Sequence, residues 1–261
     1  MPDPQANAKA GMPVNHDFAV ITTPDGPMVM FCAYPDGPGP FPPAVVISGQ
    51  PGPSSPEITA AEILANQGYV GCTFDLMHRG PAVHQNEDQV GRRRNLTDPG
   101  TIADMNAGLD HLKSLPFVQS DNIGIVGFCM GGRVAYMMAG ARHDIGAICS
   151  LYGSGIYEGY DRPAPIEFTD KIECPVLILN GDKDRVITPE EALRVADTLK
   201  ENGKTVETHI YPGIGHAWMA VRGSKETYDD SILRSIAWLD KYIGQNKPAL
   251  NLAPAVHGGG H

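Results

Sequence analysis

The stretch GIVGFCMGGRVAYMM, residues 124–138, decides how the rest of the chain is read. A run of apolar and β-branched residues suited to a buried strand ends in Gly127-Phe128-Cys129-Met130-Gly131-Gly132, and helical spacing follows at once. Small residues at 127, 131 and 132 allow a sharp turn and let the helix pack close to the strand. The residue in the middle is then pushed up into a cleft. This is the pattern of a nucleophile elbow, G-x-nucleophile-x-G, with Cys129 where a serine is usual. A helix N-terminus directly under the thiol also favours its thiolate. The competing reading is a small apolar residue filling a core, the commonest fate of a free cysteine.

Outward from the elbow, strand and helix signals alternate. FAVITT and PMVMFCAY flank the turn residues Pro24-Asp25-Gly26 and predict a hairpin. AVVIS (44–48), YVGCTFD (69–75), NIGIVGF (122–128), AICSLYG, PVLILNG and VETHIY follow as strands. Helical spacing marks 56–68, 101–115, the segment from Gly131, PEEALRVADTLKENG and 225–243. Residues 76–100 form a long excursion rich in Gly, Pro and charge, a kind of loop that is usually functional. The pattern predicts an α/β fold with a largely parallel central sheet flanked by helices. One domain over 16–244 is expected, with flexible arms at 1–15 and 245–261. Chemistry in such sheets collects at the carboxyl ends of the strands.

Two further strand ends carry reactive side chains. LILNGDKDRVIT places Asp182 and Asp184 in a loop, where either carboxylate can orient a histidine or simply cap the next helix. IYPGIGHAWM places His216 past a strand and a Gly-containing loop. The order nucleophile, acid, histidine is that of the α/β-hydrolases, with each member just past a strand.

In that order and spacing, G-F-C-M-G-G, G-D-K-D-R-V-I and G-I-G-H-A-W resemble the dienelactone hydrolase (carboxymethylenebutenolidase) family of the α/β-hydrolase fold, over roughly residues 17–243. The resemblance implies Cys129 as nucleophile, His216 as base and Asp184 as the orienting acid. It implies hydrolysis of a small activated ester or enol-lactone through a thioester, with the Met130 amide as one oxyanion donor. Typical members carry a glutamate in the loop after AVVIS. A straight alignment puts Gln50 there, and Pro51, which has no N–H, where the second donor amide is expected. The second donor is then the Gln50 side chain, the Gly52 N–H after a register shift, or absent. The family's substrate carboxylate is held by arginines, which points to Arg94, with Arg79 also in the excursion. A second family arginine corresponds to Ala220, with Arg222 two residues on. Trp218, Phe128 and Tyr152 are candidates to line the pocket.

Composition narrows the partners. A formal charge of −10 argues against binding a phosphate backbone, and the run Arg92-Arg93-Arg94 is flanked by acids. No nucleic acid, membrane, metal or organic cofactor is implied; the expected partner is a small ester or lactone, with a monomer or homodimer as the assembly. The five cysteines are widely spaced with no CxxC pair, and no apolar leader or membrane-length run is present, so a cytoplasmic location is expected. The HGGGH ending is a weak ligand set on a flexible tail. Gln50, Pro51 and Ala220 motivate an alternative, a weakened hydrolase fold that binds small molecules. A redox-sensing thiol is another, with Cys149 or Cys72 as resolving partner.

Overall fold

Pro24 and Asp25 reverse the chain between β1 (Val14–Thr23) and β2 (Gly26–Pro35). The Thr23 hydroxyl donates to the Gly26 carbonyl at 2.8 Å, and Gly26 takes φ 125°, which a side chain would resist. The structure, a computed structural model, describes residues 12–49, 52–79, 96–219 and 224–247. β3 (Pro43–Ile47), β4 (Val70–Phe74), β5 (Ile123–Phe128), β6 (Ile145–Leu151), β7 (Val176–Gly181) and β8 (Val206–Tyr211) complete one sheet in the order β1-β2-β4-β3-β5-β6-β7-β8. All pairs from β4 to β8 are parallel; β2 joins β4 antiparallel. β3 and β5 are buried along their whole length, as their unbroken apolar runs require of strands covered on both faces.

Among the described residues there are five α-helices: α1 (Ser55–Asn66), α2 (Asp98–Ser114), α3 (Met130–Ala141), α4 (Pro189–Glu201) and α5 (Lys225–Tyr242). Their starts follow from capping chemistry. The Glu57 carboxylate accepts from the Ser54 N–H at 3.0 Å, and the Thr97 and Thr188 hydroxyls accept from the Gly100 and Glu191 N–H groups. α1 and α5 share one face of the sheet, tied by the Tyr228 hydroxyl donating to the Pro56 carbonyl. α2 and α3 pack on the other face. α4 packs on β7 and β8.

The element boundaries shift in three places. β1 takes Val14 and Asn15, which pair with Pro35 and Tyr34, so the loose arm expected over 1–15 loses them. α2 begins at Asp98 rather than 101, because Thr97 caps it and Pro99 suits its first turn. At the other end Gly244–Asn246 form a 3-10 turn, and the Lys247 ammonium donates to the Gln67 carbonyl at 3.0 Å, beyond the boundary expected at 244. The HGGGH ending lies outside the described residues.

The strand order reverses between β4 and β5 on either side of β3, which opens a crevice above the carboxyl ends of β3 and β5. The segments leaving those two ends carry Gly49 and Cys129.

Candidate active site

Cys129 sits between β5 and α3 with φ 54° and ψ −117°, a conformation that costs a non-glycine residue about 1–3 kcal/mol and persists only where neighbours over-determine it. They do so here through the backbone. The Cys129 N–H donates to the Leu151 carbonyl at 3.0 Å, while its carbonyl accepts from Gly132 at 2.9 Å and from Ser154 at 3.1 Å. The close approach demands glycine. A Cβ on Gly127 would lie 2.2 Å from the Gly131 carbonyl oxygen, and one on Gly131 would lie 2.1 Å from that of Ile47. The thiol is thus half-buried at the crevice floor, with the start of α3 beneath it.

The loops after β7 and β8 bring two partners to it. His216 Nε2 lies 3.2 Å from Cys129 Sγ, and His216 Nδ1 lies 2.8 Å from Asp184 Oδ2. The other Asp184 oxygen accepts from the Val186 and Ile187 N–H groups at 2.8 and 3.0 Å, which locks this buried carboxylate in place. Asp182 turns away and accepts from the Gly213 N–H at 2.6 Å, closing the loop after β8. The acid facing His216 is therefore Asp184.

The electrostatics favour charge separation. Burial alone lowers the His216 pKa, but Asp184 and the Cys129 sulfur outweigh it and raise the imidazole to about 9. Burial alone raises the Cys129 thiol. Hydrogen bonding and charge from His216, with smaller help from Ser154 and the Met130 N–H, bring it below its ordinary value. Both shifts favour the thiolate–imidazolium pair over the neutral thiol and imidazole.

Above this pair opens a cavity of about 930 Å³. Gly49, Phe128, Met130, Tyr152 and Ser154 line it close to Cys129, and Val134, Met137 and Val186 supply apolar wall. Its polar side is built around Arg133, whose guanidinium grips the Asp98 carboxylate (3.2 and 2.6 Å) and donates to the Glu158 carbonyl at 2.6 Å. Asp161 accepts from the Asp98 N–H at 3.1 Å. Ser154, Arg133 and Asp98 were not anticipated from the sequence. Ser154 lies just past the end of β6, where the strand-end rule applies equally, and Arg133 is a lone charge in an otherwise apolar helix.

Two residues expected as substrate contacts, Arg79 and Trp218, are not among those lining this cavity. Arg79 is bound to Asp104 through both terminal nitrogens and to Asp25 through Nε at 2.8 Å, away from the cavity wall. Asp104 is fully buried and needs that cation, so Arg79 serves the fold. Trp218 is 1% exposed and does not line the cavity above Cys129. Its indole N–H donates to Ser231 Oγ at 3.4 Å, and its ring supports Tyr152, which in turn meets the His216 ring edge-on at 5.0 Å. The Gly52 N–H, one of the expected oxyanion donors, donates to the Gly49 carbonyl at 3.1 Å. Gln50, Pro51, Arg94, Ala220 and Arg222 lie outside the described residues.

Known proteins share both the sequence and the architecture. The model of the dienelactone hydrolase family matches residues 28–243. A provisionally named carboxymethylenebutenolidase of Synechocystis sp. is 26% identical over 219 residues, covering 79% of this chain and 88% of that protein. A Bradyrhizobium protein provisionally named as a 2-oxo-3-(5-oxofuran-2-ylidene)propanoate lactonase is 26% identical, covering 77% of this chain and 83% of its own length. In fold, the chain superposes on the crystal structure of a provisionally named dienelactone hydrolase from Klebsiella pneumoniae with a TM-score of 0.79 at 23% identity, covering 88% of this chain and 100% of that one. Matched by the family model along most of its length, the chain belongs to the dienelactone hydrolase family and is a hydrolase of the α/β-hydrolase fold.

Proposed function

We propose that this hydrolase opens a small activated ester or enol-lactone with Cys129 as the nucleophile. The observation that carries the reading is the unbroken relay Cys129 Sγ, His216, Asp184, at 3.2 and 2.8 Å, beneath a cavity of substrate size. The thiolate attacks the carbonyl carbon, and the resulting oxyanion is met by the Met130 N–H at the start of α3. The tetrahedral adduct collapses to a thioester as the His216 imidazolium gives its proton to the departing oxygen. Neutral His216 then takes a proton from water, which attacks the thioester; collapse releases the acid and returns the thiolate. Asp184 keeps the imidazole in the required tautomer throughout.

Enol leaving groups have low pKa values, so an activated lactone opens more readily than a simple alkyl ester. The lactonase name of the Bradyrhizobium relative points the same way. The redox reading has no support in the thiol positions. Cys72 Sγ lies 3.0 Å from Cys32, and Cys149 is buried with its thiol toward the Ser235 carbonyl, so neither is turned to Cys129. Arg94 is proposed as the carboxylate contact, and a cytoplasmic monomer or homodimer as the working form.

The test follows hydrolysis of a muconate-type enol-lactone and a nitrophenyl ester by wild type, Cys129→Ala and Gln50→Glu. Wild type should turn over the lactone preferentially, and Cys129→Ala should be inactive on both. Activity retained by Cys129→Ala would sink the reading.

A further inference from the structure

We infer that Ser154 is a further catalytic residue of this site: its hydroxyl donates a hydrogen bond to the Cys129 sulfur and holds the thiolate in attacking position. The inference rests on the assignment of Cys129 as nucleophile.

Ser154 stands three residues past the end of β6, and its place is set by the elbow itself. Its N–H donates to the Cys129 carbonyl at 3.1 Å, while the Leu151 carbonyl, at the end of β6, accepts from the Cys129 N–H at 3.0 Å. The two main chains are thereby locked together, and Ser154 cannot drift from the sulfur without breaking the bond that holds the strained Cys129 conformation. Its Oγ lies 3.7 Å from Cys129 Sγ, within hydrogen-bonding reach of a large sulfur anion, and faces the cavity. Among the described residues the sulfur is the hydroxyl's hydrogen-bond partner.

The chemistry explains why such a donor matters. Three elements present hydrogen to the sulfur: the loop after β8 through His216, the start of α3 through Met130, and the loop after β6 through Ser154. His216 must surrender its proton to the leaving group, so its support ends midway through turnover. A serine hydroxyl does not titrate in the working range and keeps donating when thioester collapse returns the negative sulfur. Lowering of the Cys129 thiol by Ser154 is consistent with this. Other titratable and charged groups around the cavity are His216 with Asp184 behind it, Tyr152, Tyr160, Glu57, Glu158, Asp161 and the Arg133–Asp98 pair, and the test leaves all of them in place.

The experiment measures the rate of Cys129 alkylation by iodoacetamide against pH in wild type, Ser154→Ala and Ser154→Thr. Cys129→Ala serves as the blank for the four buried thiols. Loss of the hydroxyl should move the acid limb up by about half a unit to one unit, or about three- to tenfold less thiolate on that limb. Threonine should restore it. Ser154→Val, matched to threonine in shape, guards against a folding defect: a shifted limb in Val with a wild-type limb in Thr supports the assignment. An unmoved limb in Ser154→Ala overturns it, as does uniform slowing at every pH with the limb in place, which marks a purely structural role. If no ester is hydrolysed by wild type, the alkylation curve still judges Ser154. If Cys129→Ala abolishes hydrolysis while Ser154→Ala leaves the limb unmoved, this inference alone fails.

Discussion

Asp182 and Asp184 lie in one short loop, yet backbone amides send them to different work. Val186 and Ile187 hold one oxygen of Asp184 so that the other meets His216, whereas Asp182 closes a turn at Gly213. Asp184→Asn should lower kcat/KM by about 10³–10⁴-fold, with Asp182→Asn far milder. The pH profile sharpens the expectation. As pH falls, rate is lost when the thiolate takes a proton; as pH rises through about 9, it is lost because His216 no longer carries the proton the leaving group needs. In Asp184→Asn the imidazole falls back toward its ordinary value and the thiol rises, so both limbs should move inward, readable in kcat/KM from acid to alkaline pH. Arg79 offers a contrasting case: Arg79→Gln should lower the urea midpoint, because buried Asp104 loses its guanidinium partner and keeps the His78 contact, while KM for a carboxylate-bearing lactone stays unchanged.

At the scale of elements, the elbow depends on β5, α3 and β3 approaching closer than any side chain permits. The contacts a Gly131→Ala methyl would make are with backbone of Ile47 and Ser48, which cannot swing aside as a flexible side chain would. That substitution should cost more than about 3 kcal/mol in urea unfolding, or prevent folding, whereas Gly37→Ala, with open space around it, should be close to neutral. Thr188→Ala removes the cap of α4 and should cost about 1 kcal/mol. Strands and helices were legible along the chain because periodicity, turn residues and caps agree locally. VETHIY is β8 residue for residue. The misses lie at ends: Thr97, Asp98 and Pro99 carry a start signal for α2 inside an excursion otherwise dense in loop residues, and Val14 and Asn15 are strand only because Pro35 and Tyr34 offer partners.

For the molecule as a whole, the buried Arg133–Asp98 pair ties α3 to α2 and, through the Glu158 carbonyl, to the loop after β6. Asp98→Ala would leave Arg133 buried without its counter-ion and should cost about 3–5 kcal/mol in urea unfolding. Replacing both residues by apolar ones of similar volume should recover much of that loss. Such a pair is invisible along the chain, because a lone arginine in an apolar helix reads equally well as facing solvent. What the sequence by itself determined was the alternation of elements, the elbow pattern around Cys129 and the order of a nucleophile, a loop with two acids and a histidine, since each rests on local spacing and on residues beside a strand end. Only the tertiary structure decided that Asp184 rather than Asp182 faces the histidine by contact, that Arg79 binds buried Asp104 and Trp218 packs behind Tyr152, and that Ser154 stands beside the sulfur. The reason is physical: spacing controls which residues reach the top of the sheet, but where a side chain points there depends on partners distant in sequence, brought close only when the sheet assembles.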